Sequence, residues 1–126
     1  MLGKSSAVTN LAVKDVDRSK AFFTDTLGLE EVGGKGDDMI FLKSGDSVIK
    51  IYESEYAGTN KADAVTWQVD NVGQEVEALR DKGVTFDHYE IPGMELDGDI
   101  HVGGGVKIAW FKDPDGNILN LVEEAA

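Results

Sequence analysis

Apolar and polar residues alternate along residues 8–13, VTNLAV, which puts Val8, Asn10 and Ala12 on one face and Leu11 and Val13 on the other. This alternation predicts a strand from Val8 to Val13. A polar corner follows at residues 14–17, where Asp15 or Asp17 is suited to cap a helix by accepting orphan amide protons. The helix carries Val16, Phe23 and Leu27 on roughly one face, and Gly28 closes it, since glycine tolerates the left-handed C-terminal position. Residues 64–83 repeat the arrangement. A strand leads into a polar corner with Asn71 as cap; Val72, Val76 and Leu79 form the apolar stripe, and Gly83 ends the helix. An offset of 56 superposes Val13 on Val69, Asp15 on Asn71 and Val16 on Val72.

The repeat continues past each helix. Residues 39–53 read as two strands joined by a tight turn at Ser44–Ser47, and residues 108–123 as two strands joined at Asp113–Asn117. An offset of 70 superposes Val48–Glu53 on Ile118–Glu123. The expected organisation is therefore a single α+β domain, residues 1–126, made of two βαβββ modules at about 5–56 and 62–124 with a connection near 57–63. Neither module is long enough to bury a sheet face alone. Pairing them into one cupped mixed sheet, with the helices outside, solves that problem. Alternation assigns the faces. Leu11/Val13, Ile49/Ile51 and Leu119/Leu121 are uniformly apolar and should pack on the helices. The mixed faces, with Val8, Asn10, Ala12, Val48, Lys50, Tyr52, Ala64, Thr66, Gln68, Ile118, Asn120 and Val122, should line the concave side. An apolar lining with few polar groups describes a small-molecule pocket; a plain solvated sheet face is the alternative.

Composition narrows the function classes. Twelve Lys+Arg against 24 Asp+Glu give a net charge of −12, and the lysines are scattered, so the chain should repel phosphate backbones and not bind nucleic acid. The same field favours cationic ligands. There are no cysteines, which excludes disulfides, thiolate metal sites and cysteine nucleophiles. No apolar run approaches the ~18 residues of a membrane span, and the N-terminus lacks a signal-peptide core, so a cytoplasmic location is expected.

Residues 13–30, VKDVDRSKAFFTDTLGLE, and 110–123, WFKDPDGNILNLVE, resemble the glyoxalase/bleomycin-resistance/extradiol-dioxygenase superfamily, also called vicinal oxygen chelate. The resemblance covers nearly the whole chain. It implies paired βαβββ modules, a cupped sheet and, commonly, a homodimer. It also implies one divalent metal in the cup of the family's enzymes, held by His, Glu or Gln from the first and last strand of each module. Carried over position by position, those ligand positions fall on Val8, Lys50, Ala64 and Asn120. Val8 and Ala64 have no donor atom, a protonated lysine has no free lone pair, and Asn120 offers one neutral oxygen. Catalytic divalent metals need about three protein ligands from His, Asp or Glu. The expectation is therefore no metal at this site and no other cofactor.

In the metal's place, Lys50 is a candidate for accepting a substrate carboxylate or enolate oxygen with its ammonium, steadied by Asn120, Tyr52 or Gln68. The plainer reading is a lysine snorkelling to water. If the chain is an enzyme, Lys50, Tyr52 and His88 are the catalytic candidates. The two histidines, His88 and His101, lie in residues 86–105, a segment rich in turn formers and acids. Asp97, Asp99 and His101 would share a face of an extended chain and offer an adventitious metal site; a solvated acidic loop is the plainer alternative. Folded over the cup, Tyr89, Met94 and Ile100 would cap an organic ligand. Asp113–Asn117 is better read as a tight turn than as a calcium loop. The glycine runs 33–36 and 103–105 match no phosphate-binding pattern and read as loops between strands. Trp67 should pack outward on a helix, whereas Trp110 is a candidate for stacking on a flat ligand.

These readings converge on a metal-free binding protein for a small organic molecule, with Val8, Asn10, Lys50, Tyr52, Thr66, Gln68, Trp110 and Asn120 as ligand-binding candidates. The resemblance supplies a precedent, because the family's bleomycin-type resistance proteins lack the metal and sequester a cationic drug at an acidic dimer. The rival is a lyase, isomerase or dioxygenase of the glyoxalase type, with a divalent metal or a non-standard site.

Overall fold

The computed structural model describes residues 1–34 and 36–124. The chain divides into two compact units, Met1–Thr59 and Asn60–Ala126.

Unit 1 holds β1 (Thr9–Val13), α1 (Val16–Ala21), β2 (Glu30–Gly34), β3 (Met39–Ser44) and β4 (Ser47–Glu53). Its sheet runs β1-β4-β3-β2, with β1 and β4 parallel and the other pairs antiparallel. Val8 lies just before β1 and is 43% exposed, so the strand begins one residue later than its alternation suggests. Asp15, rather than Asp17, caps α1, its side chain accepting from the Arg18 amide. The helix widens into a π-helical turn at Phe22–Thr26, which Thr24 accompanies by donating its hydroxyl to the Lys20 carbonyl. Leu11, Val13, Leu42, Ile49 and Ile51 are buried on one sheet face, and Val16 and Phe23 are buried with them.

Unit 2 holds β5 (Asp63–Gln68), α2 (Val72–Asp81), β6 (Phe86–Asp87), β7 (Glu95–Asp97), β8 (Ile100–Gly103), β9 (Val106–Lys112) and β10 (Ile118–Glu124). The order is β5-β10-β9-β8-β7, with β6 paired to β9 beyond the end of β8. Asn71 caps α2 by accepting from the Gln74 amide, and Val72, Val76 and Leu79 are its buried stripe. Gly28 and Gly83 close the two helices at φ +81° and +93°, as the C-terminal left-handed position requires. Phe111 and Leu119 are fully buried, and Trp67 lies on their side of the sheet, its ring 6.4 Å from Phe111.

The α+β class and the module pattern are those of the sequence. Two particulars differ. Backbone hydrogen bonding forms two sheets, one in each unit, instead of one. The segment 87–105 is not a loop: it contains the β7–β8 hairpin, which extends the unit 2 sheet. Its strands are short, and Glu95–Asp97 are all exposed, so no buried alternation marks them. The turn at Gly98 and Asp99 separates Asp97 from His101, so these three side chains do not share an extended face. Lys35 of the 33–36 glycine run lies outside the described residues. Among those described, no helix is long and apolar enough to cross a membrane.

Candidate functional site

The mixed face of the unit 1 sheet is ordered by register. Asn10 pairs with Lys50 and Lys50 with Phe41; Ala12 pairs with Tyr52 and Tyr52 with Met39. Lys50, Phe41, Tyr52, Ala12 and Met39 are half-buried and Asn10 is exposed. The Lys50 ammonium sits 5.5 Å from the centre of the Tyr52 ring, within cation–π range. Lys50 and Tyr52 line a hollow of ≈ 330 Å³ together with Asp38, Met39 and Glu53.

The corresponding face of unit 2 is built differently. Thr66 pairs with Asn120 and Asn120 with Trp110, while Gln68 pairs with Val122. Thr66 and Gln68 are exposed; Asn120 and Trp110 are buried. Asp63 joins the last two: the Trp110 Nε1–H donates to its Oδ1 at 3.1 Å and the Asn120 amide donates to its Oδ2 at 3.0 Å. A carboxylate only accepts, so Asp63 fixes which way the Asn120 amide points. Among the described residues, the Asn120 Oδ1 is left buried with no donor. Trp110 is committed within its own unit, with His101 edge-on at 4.8 Å and Tyr89 edge-on at 5.3 Å. Asp63 carries no signal in the sequence, because it sits at the edge of the expected connection and its partners lie 47 and 57 positions away.

His101 is a satisfied core histidine. The Tyr89 backbone amide donates to its Nε2 at 2.9 Å, so the proton sits on Nδ1, which donates to the Ile108 carbonyl at 3.2 Å. His88 is on the surface, with its Nε2 2.7 Å from the Asp99 Oδ1. Arg80, from α2, places Nη2 2.6 Å from the other oxygen of Asp99. The hydrogen bond from His88, then that from Arg80, hold the Asp99 carboxyl below its ordinary range. Sequence reasoning missed this Arg80–Asp99–His88 chain because it joins a helix, a strand end and a hairpin turn. His88 and Tyr89 also open onto a cleft of ≈ 710 Å³ lined by Glu90, Ile91, Pro92, Met94 and Leu96. Of the capping candidates, Tyr89 and Met94 line it.

The turn Asp113–Asn117 is closed by side chains. Asp113 accepts from the backbone amides of Asp115 and Asn117 and from the Asn117 side-chain amide, at 2.8–2.9 Å. Burial raises the Asp113 carboxyl above its ordinary value, against the pull of those hydrogen bonds.

The residues present do not suit the divalent metal of the family's enzymes. Val8 and Ala64 offer hydrocarbon, Lys50 offers a cation, and Asn120 gives its amide hydrogen to Asp63. Among the described residues there is no group of three His, Cys, Asp or Glu able to hold a metal ion.

Two units of parallel and antiparallel strands, each with a capped helix before its hairpin, define a glyoxalase-type α+β fold. The chain belongs to the Glyoxalase/Bleomycin resistance protein/Dioxygenase superfamily, whose family model matches residues 6–121. No curated protein matches the sequence. Solved structures with this fold include lactoylglutathione lyase from Agrobacterium tumefaciens, at 17% identity and TM-score 0.70, covering 95% of this chain and 93% of that one. Another is TnmS3, an antibiotic binding protein from Streptomyces sp. CB03234, at 18% identity and TM-score 0.66, covering 97% of this chain and 98% of that one. A third is a mutant of the fosfomycin resistance protein FosX from Listeria monocytogenes, in complex with Mn(II) and 1S,2S-dihydroxypropylphosphonic acid, at 21% identity and TM-score 0.71, covering 96% of this chain and 90% of that one.

Proposed function

We propose that this chain binds a small organic molecule and does so without a divalent metal at the positions its family's enzymes use. The observation that carries the reading is the donor set at those positions: two hydrocarbon side chains, a lysine, and an amide already pledged to Asp63. Lys50 offers a positive charge to a ligand oxygen, and the half-buried Tyr52 and Phe41 offer aromatic surface. The similarity in fold to an antibiotic binding protein is in keeping with such a role. We read the protein as a cytoplasmic homodimer; the mass of the native particle tests the dimer, and cell fractionation tests the location.

The experiment is metal analysis of protein purified without a histidine tag or chelator, followed by melting with nickel, zinc, manganese and iron(II). A ligand that binds only the folded state raises the melting temperature by mass action. The expected result is no bound metal and no shift. A stoichiometric metal with a large shift would overturn the reading. Once a ligand is in hand, Lys50→Met should weaken its binding.

The 2.7 Å His88–Asp99 pair supports a second reading, a metal-free lyase, isomerase or dioxygenase of the glyoxalase type in which His88 acts as general base. Under that reading, His88→Gln abolishes turnover and leaves ligand binding intact.

A further inference from the structure

The segment 88–96 has no counterpart in unit 1. There β2 follows the helix directly and pairs along β3, whereas in unit 2 the partner of β9 is interrupted after Asp87 and resumes at β8. The interruption builds the cleft of ≈ 710 Å³, a size typical of small-ligand sites. Its wall is mainly apolar. Tyr89 is 40% exposed and Leu96 49% exposed, so the chain leaves both uncovered. The wall is also held in place. The Tyr89 amide is bound to His101, and its ring rests against His101 and Trp110. The Met94 amide donates to the Ile91 carbonyl. A Cβ at Gly103 would be driven into the Gly93 carbonyl oxygen, so β8 and the cleft segment touch backbone to backbone.

The charges set the kind of occupant. Glu90 is the carboxylate in the lining, and the chain as a whole carries −12. The guanidinium nearest in the network, Arg80, is tied to Asp99. A lining carboxylate beside an exposed tyrosine ring, in an acidic chain, suits a positive charge on a flat apolar body, through charge pairing and cation–π contact. We propose that this cleft is a binding site for aromatic organic cations, formed by unit 2 alone. The proposal does not rest on the binding function proposed above, whose ligand-facing Lys50, Tyr52 and Phe41 belong to unit 1.

The test uses the full chain and two aromatic dyes, the cationic thioflavin T and the anionic 1-anilinonaphthalene-8-sulfonate. Tryptophan emission reports occupancy, because Trp110 touches Tyr89. Thioflavin T should bind saturably at one site per chain and quench that emission, and the anionic dye should not. Glu90→Lys, at an exposed position, should weaken thioflavin T by about tenfold or more while leaving the melting temperature unchanged. Tyr89→Ala should weaken it similarly. Equal binding of the two dyes, or unchanged affinity in a folded Glu90→Lys protein, would overturn the proposal. So would a loss of binding in Lys50→Met that Tyr89→Ala does not reproduce, which would assign the dye to the face of β4.

Discussion

The two modules share a plan and diverge at one matched position. Lys50 in β4 and Asn120 in β10 sit in the same register, each between a first-strand residue and an aromatic, Asn10 and Phe41 in one case, Thr66 and Trp110 in the other. Lys50 stays half-exposed over a tyrosine ring, and the hollow beside it is open. Asn120 is buried and locked with Trp110 onto one carboxylate. A charge has been kept accessible on one face, while on the other a polar group has been absorbed into the packing. One duplicated frame thus carries a face with an accessible charge and a face stabilised internally.

The comparison is most severely tested in the core that each module builds for itself. Leu42 and Phe111 are register mates, opposite Ile49 and Leu119, and both are fully buried. Phe111→Ala should cost about 3–5 kcal/mol and Leu42→Ala about 2–5 kcal/mol, measured by urea denaturation. A loss below about 1 kcal/mol at either site would mean that the two cores are not equivalent.

Next come the faces themselves. Asp63→Ala strips the acceptor from two donors, the Trp110 ring N–H and the Asn120 amide, and an unsatisfied buried donor costs about 1–3 kcal/mol. Lys50→Met removes a half-exposed charge and should shift stability by about 0.5 kcal/mol or less. Equal losses from the two substitutions would erase the distinction drawn between the faces.

The helix caps should behave alike. Asp15→Ala and Asn71→Ala each remove one side-chain acceptor at a helix start, and each should lower stability by about 1 kcal/mol.

The smallest effect is on pH dependence, and it belongs to unit 2. The Asp113 carboxyl is raised by burial, so the folded state binds that proton more readily than the unfolded chain. Its contribution falls as pH rises from 3.8 through the raised folded value. Asp99 is lowered by His88 and Arg80, so its contribution is present above 3.8 and lost as pH falls through the lowered value. Its partners are half-exposed, so solvent screening keeps that contribution small. Asp99→Asn should flatten the acid side of the stability profile; an unchanged profile would show that the pair does not outlast solvation.

What was legible in the sequence was local. Asn71, Gly28, Gly83 and the Asp113–Asn117 turn act through bonds to residues a few positions away, and strand faces follow from a period of two. The tie between Asp63 and Asn120 spans 57 positions, and that between Arg80 and Asp99 spans 19, so no spacing announces either. The β7–β8 hairpin was hidden for another reason: its outer strand is three residues long and wholly exposed, and burial alternation is what reveals a strand. The matched placement of Lys50 and Asn120 follows from the sequence offset of 70. The commitment of Trp110 to Asp63, His101 and Tyr89 depends on three separate elements meeting, which alternation along one strand cannot express.

The bare meeting of Gly103 with Gly93 has a consequence for how this chain can diversify. The contact is made of main chain, so it locates the cleft segment without consulting the side chains at positions 89–96. Apart from Gly93, whose φ of +83° favours glycine, and Tyr89, whose ring packs on His101 and Trp110, the side chains of the segment can therefore be exchanged, one chemistry for another, while this contact still locates the backbone. Position 103 is the reverse: any side chain there lifts the segment and alters every lining residue together. A lineage or a designer seeking new ligands would vary the segment and leave that glycine alone.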